Sequence, residues 1–391
     1  MFNKILQLLM KIPILQNVRL LFYFYDRLML LFIKKPKPQS GKKQVLLVFP
    51  FALGDSVMLY GDMQYLKDIY KEDEYEITVT CQSPYAKLFG TVFENVLPIP
   101  YTKASVSPKE RFKMLKALRG KYYDIALDPI GSEECTPNVY AMNAICAKEK
   151  IGILLAQDKK YQCPKFLRKR AYTKVFKLEE KNVHRVKHYA QFFSMVAGKE
   201  LEPKVAQLPV SNTLTLPEKY FIVYPSASIP VKQWPVESYA KAARRLYEKL
   251  GIKMLLCGTN ADKEATDELI KMCSDIPMEN MLGKTSVLEF IEVIGRSELV
   301  LTNDTSVYHI AAATGRKTIV VSGGYVYDTF LDYHTNGYGD EYEKNIRICA
   351  HKSECMNCSN NCKFKVEKTY PCVLEVTEDE VLEAVDSLLS D

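Results

Sequence analysis

Short apolar runs rich in β-forming residues alternate along the chain with longer segments in which apolar residues recur at helical spacing. Continuous apolar runs of this kind are typical of strands that are buried on both faces of a parallel sheet. The predicted strands are 45–49, 75–80 and 123–127 in the first half and 220–224, 253–257, 299–302 and 318–321 in the second. The predicted helices are a segment after residue 55 that continues to about residue 70, then 108–119, 184–198, 236–250, 262–273, 286–295, a segment that begins near 304, and 377–389.

Strands that alternate with helices predict an α/β fold with parallel sheets. The pattern occurs twice, so we interpret the 391 residues as two doubly wound, Rossmann-like domains. We expect an N-terminal domain at 44–205 and a C-terminal domain at 206–391, with the boundary in a stretch that Pro203, Pro209 and Pro217 interrupt. Two such domains facing one another form a cleft at the carboxyl ends of their strands, where ligands bind.

Residues 1–43 form a segment of a different kind. Between residues 14 and 33 the polar side chains fall within about half of a helical wheel, and the other half is apolar. A helix that crossed the lipid would have to bury Arg19, Asp26 and Arg27, which is costly. The pattern favours an amphipathic helix that lies on a membrane surface, with a helix packed on the protein's own body as the alternative.

The charge distribution indicates what this segment meets. The chain has a net charge of +6, but residues 1–43 carry nine Lys/Arg and one Asp, which leaves the remaining chain at −2. A nearly neutral body excludes a broad nucleic-acid-binding face, which needs basic residues over the folded surface. The lysines of 34–43 suit an anionic membrane surface instead. Because no small-residue cleavage site follows the first apolar stretch, we expect a cytoplasmic protein at the membrane periphery.

The turn from the first strand into the next helix contains Gly54 and Asp55. Glycine permits a tight turn and the close approach of a ligand. An aspartate at the start of a helix can act as a general base in a ligand site, or it can simply be the N-cap residue, a position that aspartate favours.

Two later strand–helix turns carry groups that suit a phosphate. After the strand 220–224 come Ser226, Ser228 and Lys232, of which the lysine supplies a point charge suited to phosphate, or else is a solvated loop cation. After the strand 299–302 comes a helix whose first turn offers free N–H groups and hydroxyls, and helix N-termini bind phosphate. The residues singled out there are Asp304, Thr305, Ser306 and His309, the last of which has the alternative of being a core histidine.

Four segments, in this order, resemble glycosyltransferase family 9, the heptosyltransferase-like family. They are Ala52-Leu53-Gly54-Asp55, then 224–235 with its Lys-Gln-Trp-Pro end, then 283–289, and then 303–315 with its Asn-Asp-Thr start. The resemblance covers about residues 44–385 and implies a GT-B fold. It also implies an inverting, metal-independent transfer of a sugar from a nucleotide-diphosphate donor, for which ADP-heptose is one candidate. The expected acceptor is a lipopolysaccharide or another lipid-linked cell-envelope glycan, met at the inner face of the bacterial cytoplasmic membrane.

The departures from the family pattern concern the substrates. This chain has Tyr224 where the family often has Asn, Ser306 where it often has Gly, and Pro129-Ile130-Gly131 where Gln-Gly commonly follows the aspartate. The last change lies on the expected acceptor side, so the identity of the acceptor and the heptose donor stay open.

The transfer needs a base for the acceptor hydroxyl and positive groups for the leaving phosphate. We assign Asp55 as the base, and Gly54 and Asp128 to the acceptor side. Lys232, Ser226, Ser228 and the N–H groups at Thr305 and Ser306 are assigned to the phosphates. Asp304 is assigned to the sugar, His309 to the support of the phosphate loop, and Asp262 or Glu264 to the ribose.

Two other functions remain open. A nucleotide-sugar epimerase on the same fold would have no acceptor, and a non-catalytic, membrane-associated protein would bind the nucleotide sugar without turning it over. An oxidoreductase is not expected, because no G-x-G-x-x-G follows a first strand.

The C-terminal region is rich in cysteine. Cys355, Cys358, Cys362 and Cys372 include a C-x-x-C pair with metal-ligand spacing. Four thiolates could hold a structural zinc ion or an Fe–S cluster. Disulfides, or thiols that are neither ligated nor paired, are the alternatives. No cofactor is expected for catalysis.

Overall fold

The computed structural model describes residues 16–131, 136–155, 165–333, 344–351, 355–360 and 362–390, and the side chains of all of these except 16–21 and 155. The described chain divides into two compact units. The first comprises the described residues of 1–51, 64–181 and 192–199, and the second those of 52–63, 182–191 and 200–391.

The first unit contains a sheet of six strands: β1 (Lys43–Phe49), β2 (Tyr75–Gln82), β3 (Asn95–Ile99), β4 (Tyr122–Asp128), β5 (Cys146–Leu155) and β6 (Lys174–Leu178). Their order is β3-β2-β1-β4-β5-β6, and every neighbouring pair is parallel. In the central register, Leu46 lies between Thr78 of β2 and Ala126 of β4. This strand order is that of the doubly wound fold, in which ligands bind where the order reverses, here beside β1 and β4.

The second unit repeats this architecture with β7 (Tyr220–Tyr224), β8 (Lys253–Leu256), β9 (Met278–Asn280), β10 (Leu299–Asn303), β11 (Lys317–Val321) and β12 (Ile346–Cys349). The order β12-β11-β10-β7-β8-β9 is the same topology, and all pairs are again parallel. The predicted α/β class with two doubly wound sheets is therefore confirmed.

The helices are given in chain order. They are α1 (Gln16–Met29), α2 (Leu53–Tyr60), α3 (Met63–Ile69), α4 (Ala86–Phe89), α5 (Tyr101–Ala104), α6 (Pro108–Leu118), α7 (Pro137–Ala144), α8 (Lys165–Ala171), α9 (Arg185–Ala197), α10 (Val236–Leu250), α11 (Lys263–Met272), α12 (Val287–Gly295), α13 (Ser306–Ala313), α14 (Pro371–Leu374) and α15 (Glu378–Ser390). Within the described chain, no helix combines the length and the apolar character needed to span a membrane.

The N-terminal helix α1 packs on the first unit. Tyr23 and Leu30 join the apolar core of that unit. Between them, Asp26 accepts two hydrogen bonds from Arg111 of α6, at 2.5 and 2.7 Å, and both side chains are buried. The opposite face of the helix, which includes Phe24, is exposed. One face of α1 is therefore packed on the protein's own body, as the alternative interpretation of the sequence had it. A second, apolar face is left exposed.

The segment after β1 differs from the predicted single helix. The chain turns between α2 and α3 at Gly61 and Asp62. A Cβ on Gly61 would lie only 1.9 Å from the carbonyl oxygen of Lys204, so a residue without a side chain is required there. The buried Asp62 accepts a hydrogen bond from the backbone N–H of Lys204 at 3.0 Å. These contacts lie where the first helix ends. They connect the end of α2 to Lys204, which belongs to the same second unit.

Candidate functional site

The site is built at the carboxyl ends of β7 and β10, where the strand order of the second unit reverses. Asn303, the last residue of β10, is fully buried. Its side-chain amide donates to the carbonyl oxygens of Pro225 and Ser226 at 3.1 and 3.2 Å, and its Oδ1 accepts from the N–H of Trp234 at 3.0 Å. Asn303 thus joins the loop after β7 to the end of β10. The sequence motif includes Asn303, but nothing in the sequence indicated that its side chain would hold this loop by hydrogen bonds.

That loop carries Lys232 in a short 3₁₀ turn, Pro230–Lys232. The Nζ atom of Lys232 lies 3.3 Å from Oδ2 of Asp304 and 4.5 Å from the centre of the Tyr325 ring. The two charged side chains are largely buried, with exposed fractions of 13% and 6%. The structure therefore brings together two residues that were singled out from separate motifs, and it excludes the alternative that Lys232 is a solvated loop cation.

The helix α13 starts beside this pair. Thr305 is the N-cap residue, and its Oγ1 accepts a hydrogen bond from the N–H of Val307 at 3.3 Å. Ser306 is the first helical residue. The first N–H groups of a helix have no partner within the helix, and they lie at the positive end of its dipole. This end of α13 can therefore accept an anion next to Lys232.

His309 lies one turn into α13 and is buried. Burial lowers the pKa of its imidazole to about 4, with Asp304 acting in the opposite direction and Lys232 in the same one. The ring is therefore neutral at pH 7, and its Nδ1 lies 3.0 Å from the hydroxyl of Tyr333. These features describe a packed histidine that supports α13, and they give it no charge to offer a phosphate.

Asp55 lies in the first turn of α2, and the N-cap position is occupied by Ala52. The alternative that Asp55 is only an N-cap is therefore excluded. Its side chain keeps some exposed surface, yet burial raises the pKa of its carboxyl group above the ordinary value. Arg185 and Lys232 lower this pKa and Asp304 raises it, so Asp55 lies within electrostatic range of all three charges.

The packing of α2 on α13 explains how Asp55 reaches this position. A Cβ on Gly54 would lie 2.9 Å from Cδ2 of His309 and 3.6 Å from Cα of Ser306. Glycine at position 54 therefore lets α2 lie directly against the first turn of α13. From the sequence alone we expect this glycine to permit a tight turn and the approach of a ligand. In the structure it permits the close packing of two helices.

Arg185 is a residue that the sequence analysis missed. It begins α9, and its guanidinium lies 5.2 Å from the centre of the Phe330 ring. Its Nε is buried and has no hydrogen-bond partner among the described residues. Of the charges that lower the pKa of Asp55, that of Arg185 acts most strongly. An arginine at the start of a helix carries no signal in a single sequence, and only the fold reveals its proximity to Asp55.

The remaining residues predicted to bind the donor follow β7 and β8 and lie in different environments. Ser226 is buried and donates a hydrogen bond to Asp262 at 2.7 Å. Asp262 also accepts from the N–H and hydroxyl of Thr259, at 2.7 and 2.9 Å, in a capping box. Ser228 and Glu264 are exposed. Both oxygens of Asp262 are thus engaged within the protein, and its assignment to the ribose stays a prediction, as does that of Glu264.

Asp128 belongs to the first unit, where it ends β4 and is fully buried. Its carboxylate accepts hydrogen bonds from Tyr172 at 2.5 Å, from Asn138 at 2.8 Å and from the N–H of Ile130 at 3.1 Å. Burial raises its pKa to about 6, against these hydrogen bonds, which lower it. Asp128 fixes the chain that follows β4, and its contact with an acceptor stays a prediction.

The cysteine-rich tail docks on the second unit. The backbone N–H groups of Asn357 and Ser359 donate to the carbonyl oxygens of Gly324 and Tyr325, at 2.7 and 2.9 Å. Cys358 and Cys362 pack against the apolar cluster that contains Cys372. Among the residues that the structure describes, no three His, Cys, Asp or Glu side chains are arranged to hold a metal ion.

Comparison with known proteins agrees with this architecture. The chain is 34% identical to lipooligosaccharide heptosyltransferase 2 of Haemophilus influenzae over 97 residues, which are 24% of this chain and only 28% of that relative. It is 22% identical to lipooligosaccharide heptosyltransferase 2 of Campylobacter jejuni over 359 residues, which are 88% and 98% of the two chains.

Among solved structures, the Escherichia coli ADP-heptose lipopolysaccharide heptosyltransferase II superposes with a TM-score of 0.64 at 18% identity, covering 89% of this chain and 98% of that one. This likeness confirms the predicted GT-B fold. The model of glycosyltransferase family 9 (heptosyltransferase) matches residues 111–366. Because that match spans more than half of the 391 residues, the chain belongs to glycosyltransferase family 9, as its motifs had indicated.

Proposed function

We propose that the protein is an inverting glycosyltransferase that moves a sugar from a nucleotide-diphosphate donor to a hydroxyl of a lipid-linked glycan. One observation carries the proposal. Asp55, a carboxyl group with a raised pKa, lies within electrostatic range of the Lys232–Asp304 pair at the switch point of a Rossmann-type sheet. A base and a phosphate-binding cation are thus combined at the edge where this fold binds nucleotides.

In the proposed reaction, Asp55 accepts the proton of the acceptor hydroxyl. The hydroxyl oxygen forms a bond to the anomeric carbon, while the bond from that carbon to the diphosphate oxygen breaks. The electron pair leaves with the diphosphate. Lys232 and the N–H groups at Thr305 and Ser306 stabilise the charge that grows on the leaving group. Asp304 orients Lys232 through the contact at 3.3 Å and offers its carboxylate to the sugar hydroxyls.

The donor and acceptor are proposed from the relatives. The Escherichia coli structure is described as an ADP-heptose lipopolysaccharide heptosyltransferase, and the Haemophilus and Campylobacter relatives as lipooligosaccharide heptosyltransferases. We therefore propose ADP-heptose as the donor and a lipopolysaccharide core or related envelope glycan as the acceptor. The departure at Pro129-Ile130-Gly131 supports a search for acceptors beyond the inner core.

A lipid-linked acceptor requires the protein at a membrane. We propose a cytoplasmic enzyme that associates peripherally with the inner face of the cytoplasmic membrane. The exposed apolar side chains Phe24 and Leu28 on α1 and Leu31 in the turn after it, and the lysines that follow, support this location.

For the tail, we propose a structural zinc ion or Fe–S cluster held by Cys355, Cys358, Cys362 and Cys372. Asn357, Ser359 and Asn360 adopt positive φ angles of 59°, 51° and 65°, so the chain turns tightly on both sides of Cys358. Since no such group is assembled among the described residues, binding would draw the thiols together. The catalytic roles above do not depend on this metal.

The experiment is donor turnover by Asp55→Asn, with Asp73→Asn, an exposed turn residue, as the matched control. Asn keeps the shape of Asp but cannot accept the proton, so kcat should fall by about 10²–10⁴ while donor affinity changes little. Turnover of Asp55→Asn equal to that of the control, with a competent acceptor present, would contradict the proposal. Interconversion of the donor without any acceptor would favour an epimerase, and binding without any turnover would favour a non-catalytic protein.

A further inference from the structure

The outer face of α1 and the turn after it is exposed and mainly apolar, with Arg27 as an exposed charged residue among the apolar ones. Phe24, Leu28, Leu31 and Phe32 have exposed fractions of 61%, 52%, 75% and 73%. Four of the eleven large apolar side chains that are exposed in the described chain thus lie within residues 24–32. The buried Asp26–Arg111 pair holds the helix in place, so this face cannot turn inward. Its apolar side chains are therefore open to a partner.

A pocket of about 780 Å³ adjoins this face. The linker 32–39 and the end of α6 form it, and the cations among its lining residues are Lys34, Lys35, Lys37, Lys116 and Arg119. None of the lining residues, all of which the structure describes, is acidic. Phe32 and Phe112 provide apolar wall. The pocket therefore combines an excess of positive charge with an apolar rim.

Within the part of the chain that the structure describes, none of these five cations forms an ion pair with a carboxylate. The Nε atom of Arg119 is buried and has no hydrogen-bond partner among the described residues. Lys150 lies within electrostatic range of Arg119 and Lys35. Burial lowers the pKa of Lys150 to about 8, and these two charges lower it further, although Cys146 acts in the opposite direction. Positive charges this close together favour the binding of an anion.

The pocket lies at the amino ends of the strands of the first unit. The linker leads into β1 at Lys43, and α6 leads into β4 at Tyr122. The predicted acceptor residue Asp128 lies at the other, carboxyl end of β4. The pocket is therefore distinct from the expected acceptor side, and its ligand does not have to be the substrate.

We propose that this pocket binds the phosphate headgroup of an anionic phospholipid while the apolar face of α1 enters the acyl layer. The inference rests on the membrane association proposed above, but not on glycosyl transfer. Charge complementarity identifies the occupant: five cations beside exposed Phe and Leu side chains match an anionic bilayer, whereas a second copy of the chain would bring the same positive charge to the contact.

The test uses the full chain and sedimentation with vesicles of phosphatidylcholine, with or without phosphatidylglycerol. Deletion of residues 1–43 is a poor test, because it also removes Tyr23, Asp26 and Leu30 from the packed core. The pocket variant is Lys35→Gln/Lys116→Gln/Arg119→Gln. Its charge-matched control changes three exposed lysines of the second unit, Lys219→Gln/Lys253→Gln/Lys271→Gln.

The wild-type protein should bind the anionic vesicles and bind the neutral ones weakly. Each basic group near an anionic surface contributes about fivefold, so the pocket variant should lose about 10²-fold in affinity and the control should lose little. Leu28→Ser/Leu31→Ser should weaken binding, while Phe364→Ser/Leu374→Ser, exposed residues of the second unit, should not. Equal losses in the pocket variant and its control would overturn the proposal, provided that both melt like wild type.

Two other outcomes would also overturn it. Self-association in analytical ultracentrifugation that Leu28→Ser/Leu31→Ser abolishes would assign the face to a second copy. Binding of soluble glycerophosphate in the pocket, without any binding of vesicles, would assign the pocket to a free phosphate. Stabilisation of each variant by nucleotide, measured as a melting shift, keeps this test separate from the proposed transfer, because the donor site belongs to the second unit.

Discussion

Gly54 and His309 lie so close together that a methyl group on Gly54 would stand 2.9 Å from Cδ2 of the imidazole. The two residues belong to α2 and α13, the helices that carry Asp55 and the N–H groups proposed to bind the phosphates. The ring cannot easily give way, because it is buried and its Nδ1 contacts the Tyr333 hydroxyl. The glycine of the family motif therefore sets the distance between the proposed base and the proposed phosphate site.

We expect Gly54→Ala to push α2 away from α13. Overpacking of this kind costs about 1–3 kcal/mol of stability. A shift of the base by about 1 Å is enough to lower the rate by about 10²-fold. The measurements are the melting temperature and kcat. Gly90→Ala is the control, since Gly90 has an ordinary φ of −65° and its added Cβ would meet no atom closer than 3.3 Å. Equal effects of the two substitutions would refute this role of Gly54.

The buried pair Asp26–Arg111 yields a prediction about stability. Asp26→Asn leaves the guanidinium of Arg111 buried without its counter-charge, which typically costs about 3–5 kcal/mol. The pair Lys113–Glu110 on the same helix α6, with exposed side-chain fractions of 60% and 26%, is the control, and Glu110→Gln should cost less than about 1 kcal/mol. Urea unfolding of the full chain measures both. If the two losses were similar, the pair would not be what holds α1 on the first unit.

The tail provides a third prediction. If the four thiols hold a structural metal, purified protein should contain about one zinc ion, or iron together with sulfide, per chain. Cys358→Ser/Cys362→Ser should lose the metal and melt earlier, whereas Cys146→Ser, on β5 of the first unit, should keep it. Elemental analysis and thermal melting measure the two effects. Metal-free wild-type protein with unchanged melting would reject the proposal.

The central strands were predictable because they are continuous apolar runs. The observed β7 matches its predicted range, and β1, β4 and β10 differ from theirs by one or two residues at an end. Five strands were missed: β3, β5, β6, β9 and β12. Four of them are outer strands of their sheets, short and partly exposed, and β5 carries Lys148, Glu149 and Lys150 in succession. A single sequence gives little signal where the sheet buries only one face.

For the site, the sequence located groups but could not pair them. Lys232 and Asp304 were chosen from different motifs, and their contact at 3.3 Å needed the register of β7 on β10. Arg185 and Asn303 act through positions that only tertiary packing creates, so no spacing rule finds them. Asp262, by contrast, was identified from the sequence by its acidic side chain, which suggested a contact with the ribose. In the structure its carboxylate oxygens accept hydrogen bonds from Ser226 and Thr259.

We expect the raised pKa of Asp55 to affect the stability of the protein as well as the proposed catalysis. A carboxyl group whose pKa is higher in the folded than in the unfolded state contributes stability below its unfolded pKa, and this contribution is lost as the pH rises through its folded pKa. Asp55→Asn removes the ionisation, so the variant should melt at a higher temperature than wild type at neutral pH. The difference should disappear as the pH falls below about 4, the ordinary pKa of an aspartate.

If Asp55 is the base, it should also determine the acid side of the pH–rate profile. Only the deprotonated Asp55 can accept the acceptor's proton, so kcat/KM should fall as the pH drops below its raised pKa. Arg185 lowers that pKa, and Arg185→Gln should therefore move the acid limb to higher pH. Asp304 raises it, and Asp304→Asn should move the limb to lower pH. Lys219→Gln, an exposed cation of the same unit, should leave the limb in place.

If Arg185→Gln and Asp304→Asn shift the acid limb in opposite directions, the two residues act electrostatically and not only structurally. A residue that only holds the fold would, when replaced, lower the rate by a similar factor at every pH and leave the limb unmoved. Arg185→Lys keeps the charge and should restore most of the wild-type profile, even though it cannot reproduce the stacking on Phe330. If Arg185→Gln lowered kcat/KM without shifting the acid limb, Arg185 would not tune the carboxyl group. If none of the variants shifted it, the titrating group would not be Asp55, and the base would have to be sought elsewhere in the site.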